Sequence, residues 1–183
     1  MRLFVAVRFG GDALDELCRT RDALARIKLR GRMTARENLH LTLAFLGEQP
    51  ERAVPQLRQA MERAAIAPFA LTLAAPGRFR QERGDVWWVG TQPCPPLEAL
   101  ARRLRRELAR VGFSMDEKPF RAHVTLGRGV VLPEDFQREA LPACSARQTV
   151  AEIALLQSAR VGGALTYTPV AVVPLPTDSP DTP

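Results

Sequence analysis

The sequence predicts an α+β protein built from two related halves. Three observations predict it. Segments of strand and helix periodicity are interspersed, in the order strand, helix, strand, helix, strand, strand, helix, strand, strand, strand. Each half contains a long amphipathic helix, then a loop, then an apolar strand carrying a histidine. The chain has 183 residues, enough for one compact domain or for two small lobes on a shared core.

Residues 3–7 form an apolar run of strand length. Residues 12–27 carry Leu14, Leu17, Leu24 and Ile27 at helical spacing, with Asp12 placed to cap the start. Residues 30–37 are polar and read as a loop. Residues 39–46 alternate and then become continuously apolar, as a well-buried strand does, and Gly47 closes the run. The helix expected over 51–65 turns Val54, Leu57 and Met61 inward. Residues 69–73 alternate as a strand, 76–84 read as a basic, glycine-containing loop, and 86–89 read as an aromatic strand. Prolines at 93, 95 and 96 lead into a helix over 97–111. Leu97, Leu100, Ala101, Leu104 and Leu108 form its stripe, and arginines crowd its other face. Such a face is more often solvated surface than a nucleic-acid site. Residues 120–126 read as a strand. Residues 150–157 and 165–172 read as a closing antiparallel pair around Gly162-Gly163. Residues 1–173 are expected to form a single domain of two interleaved lobes, and 174–183 a disordered tail.

Composition narrows the function classes. No apolar run approaches the length of a membrane span, so no membrane association is expected. The N-terminal segment lacks the long apolar region and cleavage site of a signal peptide. Cys18, Cys94 and Cys144 are odd in number and far apart, which argues against a disulfide framework and for a reducing cytoplasm. Net charge is +6, and all but two of the 26 basic residues are arginine, Lys28 and Lys118 being the exceptions. Planar, bidentate donors suit a phosphate-bearing partner such as RNA. An arginine-rich composition accounts for the same numbers equally well. No long apolar surface is evident, so a monomer is expected.

The two histidines of the chain carry the chemical signal. His40 sits in Leu39-His40-Leu41-Thr42-Leu43, and His123 in Ala122-His123-Val124-Thr125-Leu126. Each has an aliphatic residue at +1, threonine at +2 and leucine at +3. Threonine is rare enough that both +2 positions would match by chance about 0.4% of the time, which makes the repeat a strong signal. In a strand, residues i and i+2 share a face. His40 and Thr42 therefore project together, as do His123 and Thr125, while Leu41, Leu43, Val124 and Leu126 turn toward a core. Two imidazoles titrating near neutrality suit a phosphodiester: one takes a proton from the entering oxygen and the other gives one to the leaving oxygen. The hydroxyls of Thr42 and Thr125 suit the non-bridging oxygens, and Arg128, five residues beyond His123, suits the phosphate charge. No cluster of three or more metal-ligand residues stands out, and neither does a cysteine placed against a histidine or a phosphate-binding glycine loop, so no metal and no cofactor are expected.

With these residues in hand, the sequence resembles the 2H phosphoesterase superfamily, and more closely the bacterial RNA 2′,3′-cyclic phosphodiesterases, also called 2′-5′ RNA ligases. The resembling stretches are 2–7, 38–48 (Asn38 to Glu48, around His40), Val86-Trp87-Trp88-Val89-Gly90, 118–128 (Lys118 to Arg128, around His123), Ser158 and Tyr167-Thr168-Pro169. Ala122 departs from the pattern, since proline often precedes the second histidine, and Arg121 matches poorly. The resemblance implies a bilobal, pseudo-twofold arrangement of two antiparallel sheets, with helices outside and a central cleft. It implies hydrolysis of a terminal 2′,3′-cyclic phosphate to a 2′-phosphate without metal. His40 resembles the general acid for the 3′ oxygen and His123 the base that activates water. Thr42, Thr125 and Arg128 match substrate-binding positions. Partners implied are RNA with a 2′,3′-cyclic phosphate end or a cyclic nucleotide. Phe9, Phe45 and Trp88 are candidates to stack on a terminal base, although each also fits core packing. Ligation of tRNA halves through a 2′-5′ linkage and non-catalytic binding of RNA ends remain as alternatives.

Overall fold

A computed structural model describes residues 1–115 and 119–177. Chain order is β1 (Arg2–Arg8), α1 (Gly11–Ile27), β2 (Arg30–Met33), β3 (His40–Glu48), α2 (Val54–Ala64), β4 (Phe69–Phe79), β5 (Asp85–Thr91), α3 (Pro95–Arg110), β6 (His123–Val131), β7 (Arg147–Val150), β8 (Glu152–Val161) and β9 (Ala164–Pro174). The α+β class holds, and every strand pair is antiparallel.

The sheet runs β7-β4-β5-β6-β3-β1-β8-β9, with β2 paired to β6 off that path. The two expected sheets are thus continuous, joined at β3 and β6. That junction is one residue pair, Leu41↔Val124. Both strands start at the junction and run away from each other, because they are antiparallel and each begins at its histidine. Beyond it β2 takes up the free edge of β6, from Met33↔Gly127 to Arg30↔Val131.

The helices cover one face. Leu3, Val5 and Val7 of β1 join Leu17, Leu57 and Leu104 of the helices in the main core. Phe4 and Ala6, on the other face of the same strand, form a small cluster with Ala154 and Leu156. Burial on both faces explains why β1 is continuously apolar rather than alternating. The helices also cross between halves. α1 follows β1 but packs on β6 and β7, whereas α3 follows β5 and packs on β3, β4 and α2.

Several sequence expectations need correction. Residues 30–37 are not all loop: β2 and a 3-10 turn at Arg36–Asn38 occupy them. β4 continues through Phe79, into the segment expected as a basic loop. β7 was not anticipated; at four residues it is too short for periodicity to register. Asp12 does not cap α1, whose N-cap is Gly10. The ordered chain passes residue 173: β9 reaches Pro174, and the buried Leu175 donates its N–H to the Ala151 carbonyl. Residues 178–183 of the expected tail lie outside the described residues, as does Lys118 of the second resembling stretch. The β8–β9 hairpin turns at Gly162-Gly163, as expected. Both glycines have positive φ (56° and 84°), which a two-residue type I′ turn requires. Among the described residues no helix is long and apolar enough to cross a membrane.

Candidate active site

The site forms where the two halves meet. Leu41 and Val124 are fully buried and face the helices, so their neighbours on β3 and β6 face the opposite side. Extending the Leu41↔Val124 register by one residue sets His40 across from Thr125 and Thr42 across from His123. The imidazoles therefore occupy opposite corners of a four-residue set and the hydroxyls the other two. All four line one cleft of about 590 Å³, together with Arg128.

The repeat extends further than the motif. Against β1, Ala6 pairs with Thr42 and Val5 with Ala44, leaving Leu43 as an extra residue in β3. Against β5, Trp88 pairs with Thr125 and Trp87 with Gly127, leaving Leu126 extra in β6. Each bulge falls three residues after its histidine. A bulge shifts the alternation by one, so the residue at +5, which plain alternation would turn away, points into the cleft. On β6 this residue is Arg128 and on β3 it is Phe45; both are exposed and line the cleft.

The rings are held alike. His40 donates from Nδ1 to the Asn38 carbonyl at 2.7 Å, and His123 donates from Nδ1 to the Arg121 carbonyl at 2.7 Å. Fixing the proton on Nδ1 leaves Nε2 as the working nitrogen in the neutral ring. The Nε2 of His40 lies 3.0 Å from Thr42 Oγ1. Aromatic rings from other strands of the sheet pack each imidazole: Phe4 (4.8 Å) and Tyr167 (5.1 Å) at His40, Phe79 (5.2 Å) and Trp88 (6.3 Å) at His123. Asn38 is buried and clamps this wall, donating to the Leu165 carbonyl at 2.7 Å and accepting from the Tyr167 N–H at 3.1 Å.

Burial depresses the affinity of both rings for a proton. His40 is lowered from the ordinary histidine value chiefly by desolvation; the Asn38 carbonyl opposes this, and the charges of Arg128 and His123 add to it. His123 is lowered by desolvation, against the Arg121 carbonyl, and by Arg128. Because a proton on His123 disfavours one on His40, the pair resists holding two. Among the described residues Arg2, Arg128 and Arg160 line the cleft and no carboxylate does, so this lining is electropositive and a bound anion would restore proton affinity to the rings. Such a set can cradle a phosphate and move one proton on each side of it.

Placement separates the three stacking candidates. Phe45 stands on the cleft wall, 42% exposed, with the Arg2 guanidinium 5.0 Å from its ring centre. Phe9 is buried in the main core and borders a separate cavity beside His40. Trp88 packs on Phe79 and lies across Gly77. Sequence reading missed Asn38, Phe4 and Tyr167 as parts of the site. Their contribution comes from neighbouring strands or through a backbone carbonyl, which residue type does not encode. Among the described residues no group of three or more His, Cys, Asp or Glu is placed to hold a metal ion.

Known proteins share this sequence pattern and this fold. An RNA 2′,3′-cyclic phosphodiesterase of Escherichia coli is 36% identical over 145 residues, covering 76% of this chain and 77% of that protein. One from Geobacillus stearothermophilus is 34% identical over 162 residues, covering 85% of this chain but 51% of that longer protein. The crystal structure of E. coli LigT complexed with 3′-AMP superposes with a TM-score of 0.77 at 31% identity, over 95% of this chain and 97% of that one. The sequence pattern of the 2′-5′ RNA ligase superfamily matches residues 14–162, and with both halves of its histidine repeat placed in one cleft, the chain belongs to that superfamily of 2H phosphoesterases.

Proposed function

We propose that the protein is a metal-independent RNA 2′,3′-cyclic phosphodiesterase that opens a terminal cyclic phosphate to a 2′-phosphate. The observation that carries this is the diagonal placement of His40 and His123 about one arginine-lined cleft. A water oxygen attacks phosphorus as neutral His123 takes its proton through Nε2. The P–O3′ bond breaks, and protonated His40 delivers its proton to O3′, leaving a 2′-phosphate and a free 3′-hydroxyl. Thr42, Thr125 and Arg128 donate to the non-bridging oxygens as charge accumulates there. The family resemblance assigns the acid and base roles; with a 5′-hydroxyl in place of water as the entering oxygen, the same roles and the same P–O3′ cleavage give a 2′-5′ linkage. Free, buried Cys18, Cys94 and Cys144 suit a reducing, cytoplasmic setting, and we propose a monomer.

The test is incubation of the protein, in EDTA, with an oligoribonucleotide ending in a 2′,3′-cyclic phosphate. A 2′-phosphate end is the expected product. His40→Ala and His123→Ala are each expected to lower the rate about 10²- to 10⁴-fold with the fold intact. Binding without turnover by the wild type would favour a module that only holds RNA ends. Loss of activity in EDTA would refute the metal-free mechanism, and near wild-type activity in either variant would refute the two-histidine one.

A further inference from the structure

β2 lies off the path of the sheet, along the part of β6 beyond Thr125. Its register is fixed at both ends: the Leu29 N–H donates to the Val131 carbonyl and the Thr34 N–H to the Leu126 carbonyl, both at 2.8 Å. Between them Gly31, at φ 116°, lets the two backbones touch; a Cβ there would lie 2.6 Å from the Val130 Cα. This register sets Arg32 directly across from Arg128. Opposite residues of an antiparallel pair share a face, so Arg32 stands on the side of Arg128. Its neighbours agree: Thr34, two residues on, lines the catalytic cleft, whereas Met33 packs against the main core. Both arginines are exposed, and neither has an ion pair or hydrogen bond with a described residue. Like charges directly opposite each other repel and cost stability. Elsewhere the chain answers arginines with carboxylates, as in Arg8 with Glu152, Arg36 with Asp15 and Arg78 with Asp85. At this point β2 instead holds two guanidiniums side by side.

We infer that Arg32 holds the internucleotide phosphate on the 5′ side of the terminal nucleotide. This rests on the phosphodiesterase reading and extends it from the reacting end to the strand behind it. A cyclic phosphate ends its strand, so its one neighbouring phosphate is the linkage 5′ to its own ribose. Arg128 lines the cleft with both histidines and takes the reacting phosphate; Arg32 stands beside that lining and not in it. The Cα atoms of an opposite pair lie about 5 Å apart, so two long side chains on one face reach successive phosphates of a strand. The guanidinium fork suits the two non-bridging oxygens of a phosphodiester. With both anions in place, the repulsion between Arg32 and Arg128 is neutralised. The site therefore selects an RNA end over a free cyclic nucleotide, which has no second phosphate, and it reads backbone charge rather than base.

The test compares adenosine 2′,3′-cyclic phosphate with the diadenosine dinucleotide ending in a 2′,3′-cyclic phosphate, by kcat/KM. Binding of the two corresponding 2′-phosphate products is measured by calorimetry at several salt concentrations. The wild type is expected to prefer the dinucleotide in both measurements. Arg32→Gln is expected to reduce that preference about 10- to 100-fold, as for loss of one hydrogen bond to a charged group. The log–log salt slope for dinucleotide binding should become shallower by about 0.7, one phosphate contact fewer, and Arg32→Lys should keep the wild-type slope. Because the substitution removes a like-charge pair, the Arg32→Gln protein is expected to unfold at or above the wild-type denaturant midpoint. No preference for the dinucleotide in the wild type, an equal loss on both ligands in Arg32→Gln, or an unchanged salt slope would each overturn the subsite. A lower midpoint would make Arg32 a structural residue and overturn it as well. An Arg32-dependent preference in product binding, in a wild type that turns over neither cyclic phosphate, would instead overturn the phosphodiesterase reading and leave the subsite standing.

Discussion

At the scale of single residues, each imidazole is held by a carbonyl two positions earlier in the chain, and its Nε2 is turned to the cleft. Thr42 Oγ1 is a hydrogen-bond partner of His40 Nε2, so valine at this position keeps the shape and removes the hydroxyl. Thr42→Val and Thr125→Val are each expected to lower kcat about 10²- to 10³-fold, the usual loss for one oxyanion donor, with little change in stability. Steady-state kinetics beside a denaturation curve checks this, and unchanged kcat in both would remove the hydroxyls from the mechanism. The histidines also make stability depend on pH. Both folded-state pKa values are lowered from 6.5, first by burial. The unfolded chain therefore binds more protons than the folded one in the window just below 6.5. The stability is fully present above that value and is lost as pH falls through the lowered folded pKa values. Urea unfolding between pH 7.5 and 5 should show this decline in the wild type. In a protein carrying both His40→Gln and His123→Gln the decline should be smaller; an identical slope would show that other groups cause it.

At the scale of elements, matched bulges do what regular strands cannot. In a plain strand Arg128 would face away from Thr125; the extra residue Leu126 reverses it. The neighbouring strands then wall the site, and one glycine makes room for a wall. Gly77 on β4 pairs with Trp88 on β5, and a Cβ there would come within 2.3 Å of the indole. Trp88 in turn stands beside His123 and Phe79. Gly77→Ala is expected to destabilise the protein by about 1–3 kcal/mol, the range for overpacking, and to lower activity by displacing the ring from His123. Chemical denaturation with tryptophan fluorescence reports both. A variant as stable as wild type would show that β4 and β5 shift to accept the methyl at little cost.

At the scale of the molecule, the two halves share one sheet through the Leu41↔Val124 pair and the β2–β6 ladder, and one core through crossed helices. The junction residues Leu41 and Val124 are fully buried, and burial of an aliphatic side chain contributes about 1.5–3 kcal/mol. α1 packs on strands of the second half, and α3 packs on β3 of the first as well as on β4 of its own, so the helix cover of each half is shared with the other. Unfolding is expected as one cooperative transition. Both tryptophans lie on β5, in the second half, whereas helix content comes from all three helices. Coincident denaturation curves from tryptophan fluorescence and far-ultraviolet circular dichroism are the expected outcome, and separated midpoints would show independently stable halves.

The paired His-x-Thr strands, the three helices and the glycine hairpin were legible from the sequence alone, because strand alternation, helical spacing and turn chemistry are local properties. That much determined the fold class and brought His40, Thr42, His123, Thr125 and Arg128 forward as one set. Local periodicity did not reveal β2 and β7, which are short and borrow their order from β6 and β4. Nor did it separate Phe45 from Phe9 and Trp88, since all three sit in apolar surroundings and only packing leaves one of them open. Asn38 and Tyr167 are far apart in the chain and meet at His40 through β9. Tertiary structure alone decided the diagonal of imidazoles and the turn of Arg128 and Phe45 into the cleft. The diagonal depends on register between strands more than eighty residues apart, and the two turns on bulges against β1 and β5; register is set by which partner a strand finds.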